Sequence, residues 1–160
     1  MTTPNIHLRK SVPEDIESFF IFQLDDEANH MAAFTPENPQ DKEAYMAKWT
    51  KNMANEKIPM YTIICDGTIA GSVLAWELEG EPQISYWLSK DFWGRCIAAA
   101  ATEKFLCLYP ARPIYGRVAF DNVRSARVLT KCGFRQCGIG THYANARKAE
   151  IEERIFIREN

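Results

Sequence analysis

Apolar and polar residues alternate over 5–10 (NIHLRK), the period-two pattern of a strand with one buried face. At residue 11 the period lengthens. In SVPEDIESFFIFQL a Ser11–Glu14 capping box precedes apolar positions at Ile16, Phe19, Phe20 and Leu24, predicting an amphipathic helix. The stretch 30–40 (HMAAFTPENPQ) has no period and reads as a loop. Asn38-Pro39 can open a second helix, with Tyr45, Trp49 and Met53 stacked every four residues. Two apolar runs, 60–65 (MYTIIC) and 69–78 (IAGSVLAWEL), flank Asp66-Gly67 and predict a hairpin. Glu79 to Pro82 then turns the chain into a third strand, 83–89 (QISYWLS).

Beyond residue 89, helices and strands alternate. An alanine-rich helix over about 97–108 stops before Pro110. Strand 114–120 follows, then a helix over 123–132 with Asn122 at its N-cap and Gly133 just past its end. The last strands read as 134–138 and 151–157. The order is β-α-α-β-β-β-α-β-α-β-β. It predicts an α/β domain of the α+β type with a mixed, mostly antiparallel central sheet. The crossover from 83–89 to 114–120 makes those two strands parallel. Ligands of open α/β sheets collect beyond the carboxyl ends of strands, where neighbours diverge. The loop 90–96 (KDFWGRC) lies there.

Composition narrows the class. A chain of 160 residues suits one domain over 1–160, and 46% apolar residues can build a core without disulfides or metal. The net charge is −2 and no Lys/Arg block forms a stripe, which argues against nucleic-acid and membrane partners. The cysteines Cys65, Cys96, Cys107, Cys132 and Cys137 are odd in number and form no Cys-x-x-Cys pair, fitting a reduced compartment. His7, His30 and His142 show no metal-ligand spacing, so no metal is expected. The segment MTTPNIHLRK lacks the apolar core of a signal peptide, and no window reaches transmembrane length. A soluble, cytoplasmic protein is expected.

The stretch FWGRCIAAAA (92–101) opens the alanine helix. Backbone N–H groups at a helix start have no intrahelical partner and carry partial positive charge, so a pyrophosphate can rest on them where no bulky side chain intervenes. Gly94 and Ala98 keep that approach open, and Arg95 adds charge. A helix made small to lie close to its sheet explains the same alanines.

Two stretches carry more. ISYWLSKDFWGRCIA (84–98) and AFDNVRSARVLTKCGF (119–134), the latter through Asn122, Ser125, Lys131, Gly133 and Phe134, resemble the GNAT N-acetyltransferase superfamily. The YWL core and the Trp-Gly-Arg start of the loop resemble its branch of ribosomal-protein alanine acetyltransferases. The resemblance implies acetyl-CoA as co-substrate and transfer of its acetyl group to an amine of a small molecule or peptide, by direct attack in a ternary complex. It implies that the pantetheine arm pairs with the backbone at Trp87, Leu88 and Ser89, with the Leu88 N–H as oxyanion donor. The pyrophosphate would lie on Trp93, Gly94, Arg95, Cys96, Ile97 and Ala98. Asn122 and Ser125 would face the pantetheine and sulfur, Ser125 as candidate general acid. Relatives often dimerise, and a homodimer is allowed here.

The chain departs from the family pattern at three positions. Cys96 stands where the loop's first glycine usually falls; at positive φ it costs about 1 kcal/mol over Gly. A thiol at a helix start is a candidate reactive cysteine, or an inert small residue. Trp93 stands where a Gln or Arg leads the loop. Gln83 stands where relatives often carry Glu, and an amide cannot take a proton. Glu77 or Glu81, acting through a water chain, are the candidate bases; solvated turn carboxylates are the alternative. Phe34 and Tyr143, from loops 30–38 and 141–150, are candidates for the acceptor pocket. A CoA-binding or acetyl-CoA-binding protein of the same fold with weak or no catalysis is the competing reading, motivated by Cys96 and Gln83. A nucleotide-binding domain lacks its G-x-x-x-x-G-K-[ST] or three-glycine fingerprint.

Overall fold

The alternation over 5–10 becomes β1 (Ile6–Lys10), paired antiparallel with β2 (Met60–Cys65), in a computed structural model that describes residues 3–160. Two hairpins continue the sheet through β3 (Thr68–Leu78) and β4 (Glu81–Leu88). Their turns are Asp66-Gly67 (φ 49° and 81°) and Glu79-Gly80 (φ 52° and 81°), left-handed at both central positions. Such turns match the twist of the flanking strands. The crossover helix α4 (Ile97–Leu108) leads to β5 (Ile114–Ala119), and α5 (Val123–Lys131) leads to the closing hairpin of β6 (Arg135–Ala144) and β7 (Ala149–Arg158). The seven strands run β1-β2-β3-β4-β5-β7-β6. Among the described residues only the β4–β5 pair is parallel, as the crossover requires.

Helices cover both faces. α1 (Asp15–Gln23) and α3 (Lys42–Ala54) pack over Phe19, Met60 and Leu74, where Tyr45, Trp49 and Met53 rest as a core stripe. α4 and α5 cover the other face, closing a core of Ile63, Val73, Ala75, Ile84, Phe105 and Leu129.

The expected order of elements holds, with one short helix added and some boundaries moved. α2 (Asp26–Ala32) extends into the stretch read as loop. Its sequence, DEANHMA, has little apolar period; the helix is started by Asp25, whose carboxylate accepts from the Ala28 N–H at 2.8 Å. The Ser11–Glu14 capping box is not formed. Ser11 instead bonds the Thr62 hydroxyl at 2.8 Å, and Asp15 reaches back to the Val12 N–H at 2.9 Å. On α1 the buried fourth position is Gln23, not Leu24, because Gln23 ties the Phe20 and Pro39 carbonyls. β6 and β7 extend well past 138 and start before 151. The loop expected over 141–150 shrinks to the turn 145–148, since ladder bonds between the strands satisfy residues whose side chains stay in solvent.

Candidate active site

The β4–β5 ladder lasts for two residue pairs, Gln83 with Tyr115 and Ile84 with Gly116. Past them the strands part, and the β4 backbone from Ser85 to Leu88 runs on without a β5 partner. α5 sits close where they part: a Cβ on Gly116 would lie 2.8 Å from a Leu129 methyl and 3.5 Å from Ile84. On the other side β4 is pressed against β3. A Cβ on Gly71 would collide with the Trp87 carbonyl oxygen and lie 3.0 Å from the Leu88 Cα. The Ser89 N–H is spent on the Ala70 carbonyl at 2.8 Å, and the Ser89 carbonyl accepts from Phe92 at 2.9 Å. Strand alternation therefore turns the Leu88 N–H away from β3, toward the gap. The Trp87 indole N–H is buried and has no hydrogen-bond partner among the described residues.

The loop after β4 is held at its mouth by Trp93, whose indole N–H donates to the Leu88 carbonyl at 3.0 Å. Gly94 (φ 78°) and Cys96 (φ 59°) are both left-handed. Position 96 thus has the backbone conformation that glycine usually supplies, and Cys96 serves as the N-cap of α4 with no side chain capping it. Ile97 buries its side chain in the core, leaving only its backbone on the loop side, while Ala98 is half-buried. Cations surround this helix start. Lys131 Nζ stands 3.5 Å from the Cys96 sulfur, Arg124 lies 4.1 Å over the Trp93 ring, and Arg95 lies 5.2 Å over Phe92. Burial pushes the Cys132 thiol up to about 12 and raises Cys65 as well, so these two stay protonated; Cys96 is exposed.

Across the gap, Asn122 caps α5: its Oδ1 accepts from the Ser125 N–H at 3.2 Å, and its Nδ2 donates to the Met31 carbonyl at 3.2 Å. The Ser125 carbonyl accepts from the Tyr86 hydroxyl at 3.2 Å. Burial raises the Tyr86 phenol far above its ordinary range, so it remains a donor. The half-buried Ser125 hydroxyl makes no hydrogen bond to the protein among the described residues.

Of the residues read from sequence as a cofactor cradle, Leu88 on the β4 edge that lacks a β5 partner, Trp93 to Ala98 at the helix start, and Asn122 and Ser125 opposite are thus brought together. Trp87 and Ser89 are adjacent, but their backbone groups face β3. Glu77 and Glu81 lie elsewhere. Both are exposed and sit before the paired residues Gln83 and Ile84, at the closed end of the gap. Burial, and secondarily the Glu77 carboxylate, raise the Tyr109 phenol at the carboxyl end of α4. Tyr143 is exposed and, by alternation, on the α5 side of β6, whereas Phe34 packs its ring edge-on to His142 at 6.1 Å.

Sequence reading missed the polar chain on the α1–α3 face beside the gap. Gln83 Oε1 accepts from Arg117 Nε at 3.2 Å, and Arg117 Nη1 meets Glu153 Oε1 at 3.1 Å. His142 Nε2 stands 3.3 Å from that same oxygen. Gln83 is 2% exposed and Glu153 6%, unusually low for a glutamate. The one available signal was the strand alternation of IEERIFI, which puts Glu153 on the buried phase with Ile151 and Ile155.

A family model described as acetyltransferase (GNAT) domain matches residues 5–135. A search of curated proteins gives no match. Among solved structures, RimL, a ribosomal-protein alpha-N-acetyltransferase in complex with coenzyme A, superposes with a TM-score of 0.84 at 19% identity, covering 99% of this chain and 95% of that one. The microcin self-immunity acetyltransferase MccE, in complex with acetyl-CoA and AMP, gives 0.81 at 19% identity over 97% and 92%. A ribosomal-protein alanine acetyltransferase from Vibrio fischeri gives 0.76 at 15% identity over 100% and 96%. At these identities the likeness speaks to the fold.

Proposed function

Because this chain belongs to the GNAT acetyltransferase family, we propose that it is an acetyl-CoA-dependent N-acetyltransferase acting by direct attack of an amine in a ternary complex. The observation that carries the reading is the two-pair β4–β5 ladder, which leaves a strand edge free beside an uncapped helix start. The residues fit acetyl-CoA. The free backbone of Ser85–Leu88 can take an extended pantetheine arm by strand addition. The N–H groups after Cys96 can take the pyrophosphate, with Arg95, Arg124 and Lys131 supplying charge. The group supplies an activated acetyl carbon and a thiolate leaving group. The Leu88 N–H, turned toward the gap, would donate to the developing oxyanion, and the Ser125 hydroxyl would be the acid for the departing sulfur.

The acceptor is an amine of a peptide or small molecule. The activities in the names of RimL and the Vibrio fischeri protein support a peptide or protein amine. The test is thermal shift with acetyl-CoA, paired with thiol release in the presence of spermine and of short peptides with a free N-terminal alanine. Stabilisation with thiol release is expected. Stabilisation without turnover would favour a binding protein of this fold, and no stabilisation by CoA or acetyl-CoA would refute the reading.

A further inference from the structure

We infer that Glu153 is the carboxylate that receives the acceptor amine's proton, through one bridging water, with Arg117, Gln83 and His142 as its positioning residues. The inference rests on the transferase reading above. An amine arrives largely as its ammonium form and must lose a proton before its lone pair can attack. Gln83 cannot take that proton, and its amide is engaged on both sides: Oε1 accepts from Arg117, and Nε2 donates to the Glu81 carbonyl at 3.3 Å.

The other nearby carboxylates are committed or turned away. Asp121 has both oxygens on Arg147, at 3.0 and 2.9 Å, which holds it below the usual carboxylate range. Glu27 pairs with Lys90 at 2.7 Å. Glu150 and Glu152 alternate to the opposite face of β7 from Glu153. Glu77 and Glu81 lie at the closed end of the gap.

Glu153 meets the requirements left over. It stands in register with Ala119 of β5, one strand of about 4.8 Å from the gap's edge, on the face that α1 to α3 and Phe34 enclose. Arg117 spans from it to Gln83, at the point where β4 and β5 part. The contacts from Arg117 and His142 both fall on Oε1, and Oε2 accepts no hydrogen bond from any described residue. Gly140, opposite Glu153, keeps the space over this pair open: a Cβ there would lie 3.4 Å from His142 Nε2 and 3.8 Å from Glu153 Oε1.

The ammonium passes one proton through the water to Glu153 Oε2, giving a neutral amine and a carboxylic acid. The amine nitrogen attacks the thioester carbon, forming C–N, and collapse breaks C–S. The nitrogen's second proton ends on the CoA thiolate, and Glu153 returns its proton to solvent.

The test compares two nucleophiles on the full chain: an alanine-terminal peptide that the wild type acetylates, and hydroxylamine, which is unprotonated at neutral pH. Glu153→Gln keeps the Arg117 contact and removes the base. It is expected to lower kcat for the peptide by about 100-fold or more, with KM and acetyl-CoA affinity within about twofold, and to lower hydroxylamine turnover by less than about fivefold. His142→Ala, at a half-exposed site, is expected to show a smaller loss with the same bias. Equal losses for both nucleophiles, or none for either, would overturn the role of Glu153. If Glu153→Gln fails to fold, by circular dichroism, the bias in His142→Ala decides. A wild type that binds acetyl-CoA yet turns over no amine overturns the transferase reading itself.

Discussion

The Tyr86 hydroxyl donates to the Ser125 carbonyl at 3.2 Å, fastening β4 to α5 across the gap where β4 and β5 separate. Tyr86→Phe removes only that oxygen and leaves a carbonyl without its partner. We expect a loss of about 1 kcal/mol in urea unfolding, with acetyl-CoA binding by calorimetry weakened several-fold. Unfolding with no change in affinity would mean that the bond does not set the gap.

Gly71 is where β3 admits the bend of β4. Gly71→Ala must push the Trp87 carbonyl outward, into the gap, since no rotamer can relieve a clash with backbone. The expected cost is about 1–3 kcal/mol, and acetyl-CoA should stabilise the variant less than the wild type. The melting temperature with and without acetyl-CoA reads both effects.

Cys96 holds a left-handed conformation (φ 59°, ψ 18°) that costs a side-chain-bearing residue more than glycine. Cys96→Gly should therefore gain about 1 kcal/mol, or about 3 °C in Tm, while the free backbone N–H groups at the start of α4 remain. Acetyl-CoA affinity should hold or tighten. A fall in affinity would show that the thiol beside Lys131 contributes to the cradle.

How much of this was legible depends on the range of the forces involved. The Asp66-Gly67 hairpin, the Asn122 cap and the Cys96 anomaly are local, written within a few residues, and could be read. α2 and most of β6 could not, because DEANHMA and RQCGIGTHYA show weak apolar periods and form through a cap and an edge ladder. Parity separates Tyr143 from His142: the two are neighbours in sequence, and only knowledge of which β6 face meets Glu153 tells them apart. Glu153 looks like one more polar residue in IEERIFI; its burial between β5 and β6 and its pairing with Arg117, 36 residues away, are long-range.

Asp15 gives the acid limb of stability. Burial alone would raise its carboxyl, but two bonds from Arg9 at 2.7 and 2.8 Å, the Val12 N–H and the Thr62 hydroxyl outweigh that and hold it low. A carboxylate lowered on folding adds stability that is fully present above its unfolded pKa, near 4, and is lost as pH falls through the folded value. Asp15→Asn should lose about 2 kcal/mol at pH 7, discounted because the Arg9 guanidinium is partly exposed. Its urea midpoint should also fall less steeply than the wild type's between pH 5 and 2.

Ser125→Ala separates chemistry from architecture. The Asn122 cap and the Tyr86 bond use the backbone N–H and carbonyl of Ser125, which alanine retains. Stability should therefore stay within about 0.5 kcal/mol, and acetyl-CoA affinity within about twofold. What is lost is a hydroxyl with no partner among the described residues. A thiolate is a good leaving group, so an acid helps it less than it helps an alkoxide or amine; the expected fall in kcat is about tenfold, below the usual 100-fold for general acids. Asn122→Ala is the converse: it should cost about 1 kcal/mol through the lost cap, release Met31, and weaken acetyl-CoA binding through the shifted start of α5. Steady-state kinetics alongside urea unfolding distinguishes the pair. If Ser125→Ala lowers stability as much as Asn122→Ala does, Ser125 is structural and the acid is to be sought elsewhere.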